Sequence, residues 1–128
     1  MSTADPHANA NYAIGVKRSI IGSKVVNSAR QDLGKIEDLV IDCRTNRLAY
    51  AILSFGGLLG VGDKHFAIPW EALSYDATEE YAVLNIDRSS LEHSPGFDRD
   101  NWPDMANAQW ARQVHAACGR DPNDRPQP

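Results

Sequence analysis

Several things are scarce in this 128-residue sequence, and each scarcity narrows what the protein can be. There are two cysteines, Cys43 and Cys118, widely separated and without a CxxC pair. That argues against a disulfide framework and fits reduced thiols in a cytoplasmic protein. Positive charge is not in excess: 13 Lys and Arg stand against 17 Asp and Glu, for a net charge of −4. A nucleic-acid partner normally needs a basic face, and anionic lipid needs the same, so neither is expected. No apolar run approaches the roughly 20 residues that span a bilayer, so direct membrane insertion is not expected. The opening MSTADPHANANYAIGVKRS lacks the charged start and apolar h-region of a secretory leader. What remains is one domain with a real core and polar tails.

The stretch Leu48 to Trp70, LAYAILSFGGLLGVGDKHFAIPW, organises the rest. From Leu48 to Phe55 both alternating faces are apolar apart from Ser54, so this strand must be covered on both sides. Gly56, Gly57, Gly60 and Gly62 follow, then a second apolar run from Phe66 to Ile68. Pro69 lacks the N–H that a ladder needs and closes it.

Taken in order, residues 1–18 read as a disordered lead-in. Lys24-Val25-Val26 reads as a short strand, Asn27 to Asp32 as a turn, and Ile36 to Asp42 as a second strand. The polar Cys43 to Arg47, with Asn46 suited to a left-handed backbone, connects it as a hairpin to Leu48–Phe55. Phe66–Ile68 lies in another strand, Glu71 to Leu73 suggests one helical turn, and Tyr75 to Glu80 a polar connection. Tyr81 to Asp87 alternates as a half-buried strand. Ser89-Ser90-Leu91-Glu92 has the form of a capping box at the start of a short helix. Asp104 is a candidate N-cap for a helix to about Cys118, with Gly119 as its stop and Trp110, Val114 and Ala117 as one apolar stripe. Residues 121–128 read as a disordered tail. About five to six short strands with glycine-rich turns predict a mainly β protein, a small barrel with a C-terminal helical extension.

These features resemble the PRC-barrel domain family, named for the cytoplasmic part of the H subunit of purple-bacterial photosynthetic reaction centres. The resemblance is carried by Leu33-Gly34-Lys35-Ile36-Glu37-Asp38, Val40-Ile41-Asp42, Ala49 to Gly57, Gly60-Val61-Gly62-Asp63-Lys64 and Phe66-Ala67-Ile68-Pro69-Trp70. It covers about residues 19–92, with 93–120 as a helical tail similar to the extension of stand-alone bacterial members. What it implies is a β-barrel used for assembly and docking, with no shared catalytic residues. Members also include the C-terminal domain of a ribosome-maturation factor. Neither the membrane helix of the first context nor the N-terminal domain of the second is seen in this sequence, so neither partner is carried over.

No enzyme is expected. Gly57-x-x-Gly60-x-Gly62 is no Walker or Rossmann pattern and precedes a strand, so barrel turns explain its glycines. His115 and Cys118 share a helical face, but His65 and His93 lie in separate segments without metal-ligand spacing, and no metal or cofactor is expected. Glu37-Asp38 and Glu79-Glu80 are adjacent pairs, which diverge on a strand and cannot act as a dyad. The candidate interface residues are Leu58 and Leu59 at the glycine loop, and Phe97, Trp102, Trp110 and Val114 in the tail. A barrel this small is filled by its own strands, so the tail aromatics must pack outside it, on their own barrel or a neighbour's. The expected function is non-enzymatic self-association, a homo-oligomer whose tail helps cover a neighbouring subunit. The alternatives are a small-ligand binder with a pocket between barrel and tail, or an accessory of a membrane or RNA machine.

Overall fold

Strand propensity and period-two alternation dominate the computed structural model, which describes residues 13–56, 63–93, 96–98 and 100–118. Among the described residues six strands form: β1 Lys24–Val26, β2 Asp32–Asp42, β3 Arg47–Gly56, β4 Asp63–Pro69, β5 Leu73–Asp76 and β6 Tyr81–Leu84. After them the described residues form two helices, α1 Arg88–His93 and α2 Ala108–Ala117. The sheet order is β4-β3-β2-β1-β6-β5, antiparallel throughout except for the parallel β1–β6 pair. The two edge strands, β4 and β5, are consecutive and joined only by the 3-10 turn Trp70–Ala72. A flat six-stranded sheet would be far too wide for that link, at about 4.8 Å per strand. The sheet therefore curls, and the expected small barrel is what the chain builds.

The longest hairpin sits at the centre. β2 and β3 meet through a turn in which Thr45 and Asn46 donate their N–H groups to the Asp42 carbonyl, with Asn46 at φ 59. That is the left-handed position its side chain tolerates. β2 starts at Asp32, earlier than the sequence suggested. Leu33 is fully buried, and Gly34, at φ +114, passes so close to the Ser54 carbonyl that any Cβ would collide with it.

The inner face collects Val25, Leu33, Ile36, Leu53, Phe55, Phe66, Ile68, Ala82 and Leu84, closed by Ile20 and by Leu91 of α1. Burying one such aliphatic side chain is worth about 1.5–3 kcal/mol, so this layer dominates stability. Tyr75 reaches into the same region, and its hydroxyl donates to the Ser19 carbonyl and meets Ser23 Oγ.

Six local expectations need correction. Leu73–Asp76 is a strand, because Leu73 and Tyr75 point inward; the helical turn lies just before it. β6 ends at Leu84 and not at Asp87. Ser89 and Glu92 do not form a capping box: Ser89 lies inside α1, and Glu92 pairs with Arg88 one turn back. Asp104 accepts the Ala106 N–H in the preceding turn, while Asn107 caps α2 by accepting the Trp110 N–H. Ala117 is exposed, and it is Cys118 that extends the apolar contact inward to the core. The end of the expected disordered lead-in, residues 16–18, belongs to a π-helical turn, Val16–Ile20, whose Ile20 is buried. The glycine loop from 57 to 62, with Leu58 and Leu59, and residues 121–128 lie outside the described residues.

Candidate docking site on the outer face

Alternation along β3 places Tyr50, Ile52 and Ser54 on the side of the sheet opposite the core, with Ala67 and His65 beside them on β4. An apolar outer face must be covered, and the tail covers it. Tyr50, Ile52 and Ala67 pack with Phe97, Met105, Trp110 and Val114. Trp110 meets the Tyr50 ring edge-on at 5.2 Å between centroids, and His115 does so at 5.9 Å. The tail expected to cover a neighbour thus covers its own barrel. At the end of α2, Cys118 packs against the inner core.

The tail is pinned at one point of β4. His65 N–H donates to the Phe97 carbonyl at 3.1 Å, and Phe97 N–H donates to the His65 carbonyl at 2.9 Å. Phe97 thereby pairs with an edge strand like a one-residue extra strand. Gly96 makes this approach possible, since a Cβ there would lie 2.9 Å from the His65 carbonyl oxygen. His65 is 4% exposed, its ring 6.1 Å from the Phe97 ring. Its Nε2 lies 3.5 Å from Glu37 Oε1, and among the described residues neither ring nitrogen finds a hydrogen-bond partner.

Trp102 stacks edge-on against Phe97 at 6.0 Å and remains 45% exposed. Phe97 and Trp102 together form an aromatic knuckle on the rim of the β4 edge. Beside it an open groove of about 460 Å³ runs between Lys64 on β4 and Gly96, Phe97, Asp98 and Asn101 of the tail. Lys64 crosses its floor and donates to the Glu92 carbonyl at the end of α1.

At the far end of the molecule, Arg44 grips Asp42 through Nε and Nη2, both at 3.1 Å. The Arg44 hydrogen bonds hold the Asp42 carboxyl below its ordinary range and raise the guanidinium in turn.

Of the candidate interface residues, the structure brings Phe97 and Trp102 together at the rim, and Phe97, like Trp110 and Val114, packs on the protein's own sheet. The histidines are scattered: His65 lies beside Phe97, His93 bonds the Ser89 carbonyl, and His115 faces Tyr50. Sequence reasoning missed His65 as the tail's anchor and Tyr50 as its platform. A tyrosine in a strand apolar on both faces was the available signal. Ile41, 57% exposed on β2, was also missed.

The sequence pattern described as the PRC-barrel domain matches residues 17–91. No curated protein matches the sequence. Among solved structures, the crystal structure of a 16S ribosomal RNA processing protein, RimM, from Pseudomonas aeruginosa is similar at 19% identity and a TM-score of 0.40. The similarity covers 68% of this chain and 48% of that one, so the chain spans about half the length of that protein.

Proposed function

Because the chain belongs to the PRC-barrel domain family by its match over residues 17–91, we propose that it is a non-enzymatic assembly and docking module that associates with itself. The observation carrying this reading is the Phe97–Trp102 knuckle. Phe97 is fixed to β4 by two backbone hydrogen bonds, and it holds in the open a tryptophan that is 45% exposed. A pre-positioned aromatic loses little entropy on contact and brings roughly 150–250 Å² of surface to it. Tryptophan is also enriched where binding energy concentrates. Since the tail already covers its own sheet, no exchange of tails between subunits is needed, and the knuckle is what meets the neighbour.

The test is the mass of the protein in solution. The full chain is expected at a multiple of 14.1 kDa, and Trp102→Ser at a lower mass with an unchanged circular dichroism spectrum. An unchanged mass in Trp102→Ser contradicts the knuckle's role. The groove at the barrel–tail seam favours a second reading, a small-ligand site. Amide NMR shifts confined to Lys64, Asp98 and Asn101 on titration with small organic anions support it, and their absence removes it.

A further inference from the structure

β2 is longer than its neighbour. β1 pairs with it only from Asp32 to Lys35, and backbone bonds from Gly22 and to Ser23 carry the contact as far as Ile36. From residue 38 to 42 β2 pairs with β3 on one side, and among the described residues no strand lies on the other. The Leu39 N–H donates at 2.7 Å to the carboxylate of its own neighbour, Asp38. Ile41, in the same overhang, is 57% exposed. A free edge carrying an exposed β-branched residue is a template for another strand.

We infer that this overhang pairs antiparallel with the same segment of a second copy, about a two-fold axis at Val40. The occupant is indicated by the segment itself. Asp38-Leu39-Val40-Ile41-Asp42 has the same order of residue classes in both directions, so two copies place Leu39 of each opposite Ile41 of the other. An isologous contact requires such self-complementarity. Asp38 falls opposite Asp42 of the second copy, but that carboxylate is already held by Arg44, whose side chain is 84% exposed. Each Asp38 therefore meets an arginine it can share, twice per dimer. The inference rests on the self-association reading and adds a contact separate from the knuckle, on the other side of the curled sheet.

Sedimentation equilibrium on the full chain, Ile41→Lys, Trp102→Ser and the double variant separates the two. Both single variants are expected to be smaller than the full chain, and the double variant monomeric. Arg44→Glu is expected to weaken self-association at least tenfold by leaving only carboxylates around Asp38 and Asp42, and Asp38→Arg with Arg44→Glu to restore it. A full-length monomer overturns the self-association reading and this inference together. An Ile41→Lys variant that stays folded and keeps the full mass overturns the two-fold edge contact alone, as does failure of the charge swap. Slow amide exchange at Leu39 and Ile41 that vanishes on dilution supports the pairing, and fast exchange in the assembled state overturns it.

Discussion

Gly34 shows how much one position can hold. Its backbone is left-handed, and a side chain would drive into the Ser54 carbonyl on the neighbouring strand. Neither strain can be relieved without moving β2 off β3. Gly34→Ala is expected to cost about 3 kcal/mol or more in a denaturant melt; a loss below about 1 kcal/mol would mean that the strands shift freely. His65 is the opposite case. Its ring is buried with no hydrogen bond to either nitrogen among the described residues, and the Glu37 carboxylate 3.5 Å from Nε2 is too distant to satisfy it. His65→Leu should keep the tail in place and raise stability by about 1 kcal/mol, because an unsatisfied polar group is removed. A variant less stable than the parent would give the ring nitrogens a task. At Asp42 the sign of the pH effect follows from the lowered pKa. The carboxylate's grip on Arg44 adds stability above the ordinary aspartate range and is lost as pH falls through the folded value. An NMR titration should place the Asp42 carboxyl below the ordinary aspartate range, and titration within that range would remove the ion pair.

At the scale of elements, the tail helix depends on what it lies on. α2 has ten residues, too few to be stable alone in water. Its Asn107 cap and the Trp110–Tyr50 contact must supply the difference. Asn107→Ala is expected to lower stability by about 1 kcal/mol, and Asp104→Ala by less; the opposite ranking would restore Asp104 as the cap. This inversion shows what was legible. Asp104 and Asn107 are equally good cap residues in sequence, and only the packing of Trp110 onto β3 selects between them. The strands from Lys24 to Ile68 were legible because β-branched runs and glycine turns mark them plainly. β5 was not: Leu-Ser-Tyr-Asp is short, sits against a polar run, and becomes a strand through the inward pull of Leu73 and Tyr75. For the candidate site, the sequence named Phe97, Trp102, Trp110 and Val114 as outside the barrel. Which of them stays open depends on a fold-level fact, that Tyr50, Ile52 and Ala67 claim three of the four and leave Trp102.

For the whole molecule, the sheet's curl decides which surfaces remain. Edge β4 is occupied at His65 by Phe97, and the outer face of β3 and β4 is sealed by the tail. Among the described residues Trp102, Ile41 and Val16 are the large apolar side chains left in the open. Scattered exposed apolar residues are ordinary, but Trp102 is backed by a fixed aromatic and Ile41 lies on a free strand edge. Among the described residues no helix is long and apolar enough to cross a membrane. The central claim is that this barrel and its tail form an assembling unit. Sedimentation equilibrium of the full chain over a hundredfold range of concentration tests it most directly. The account predicts a mass that settles at a whole multiple of 14.1 kDa and falls only on dilution, whereas a single 14.1 kDa species at every concentration contradicts it.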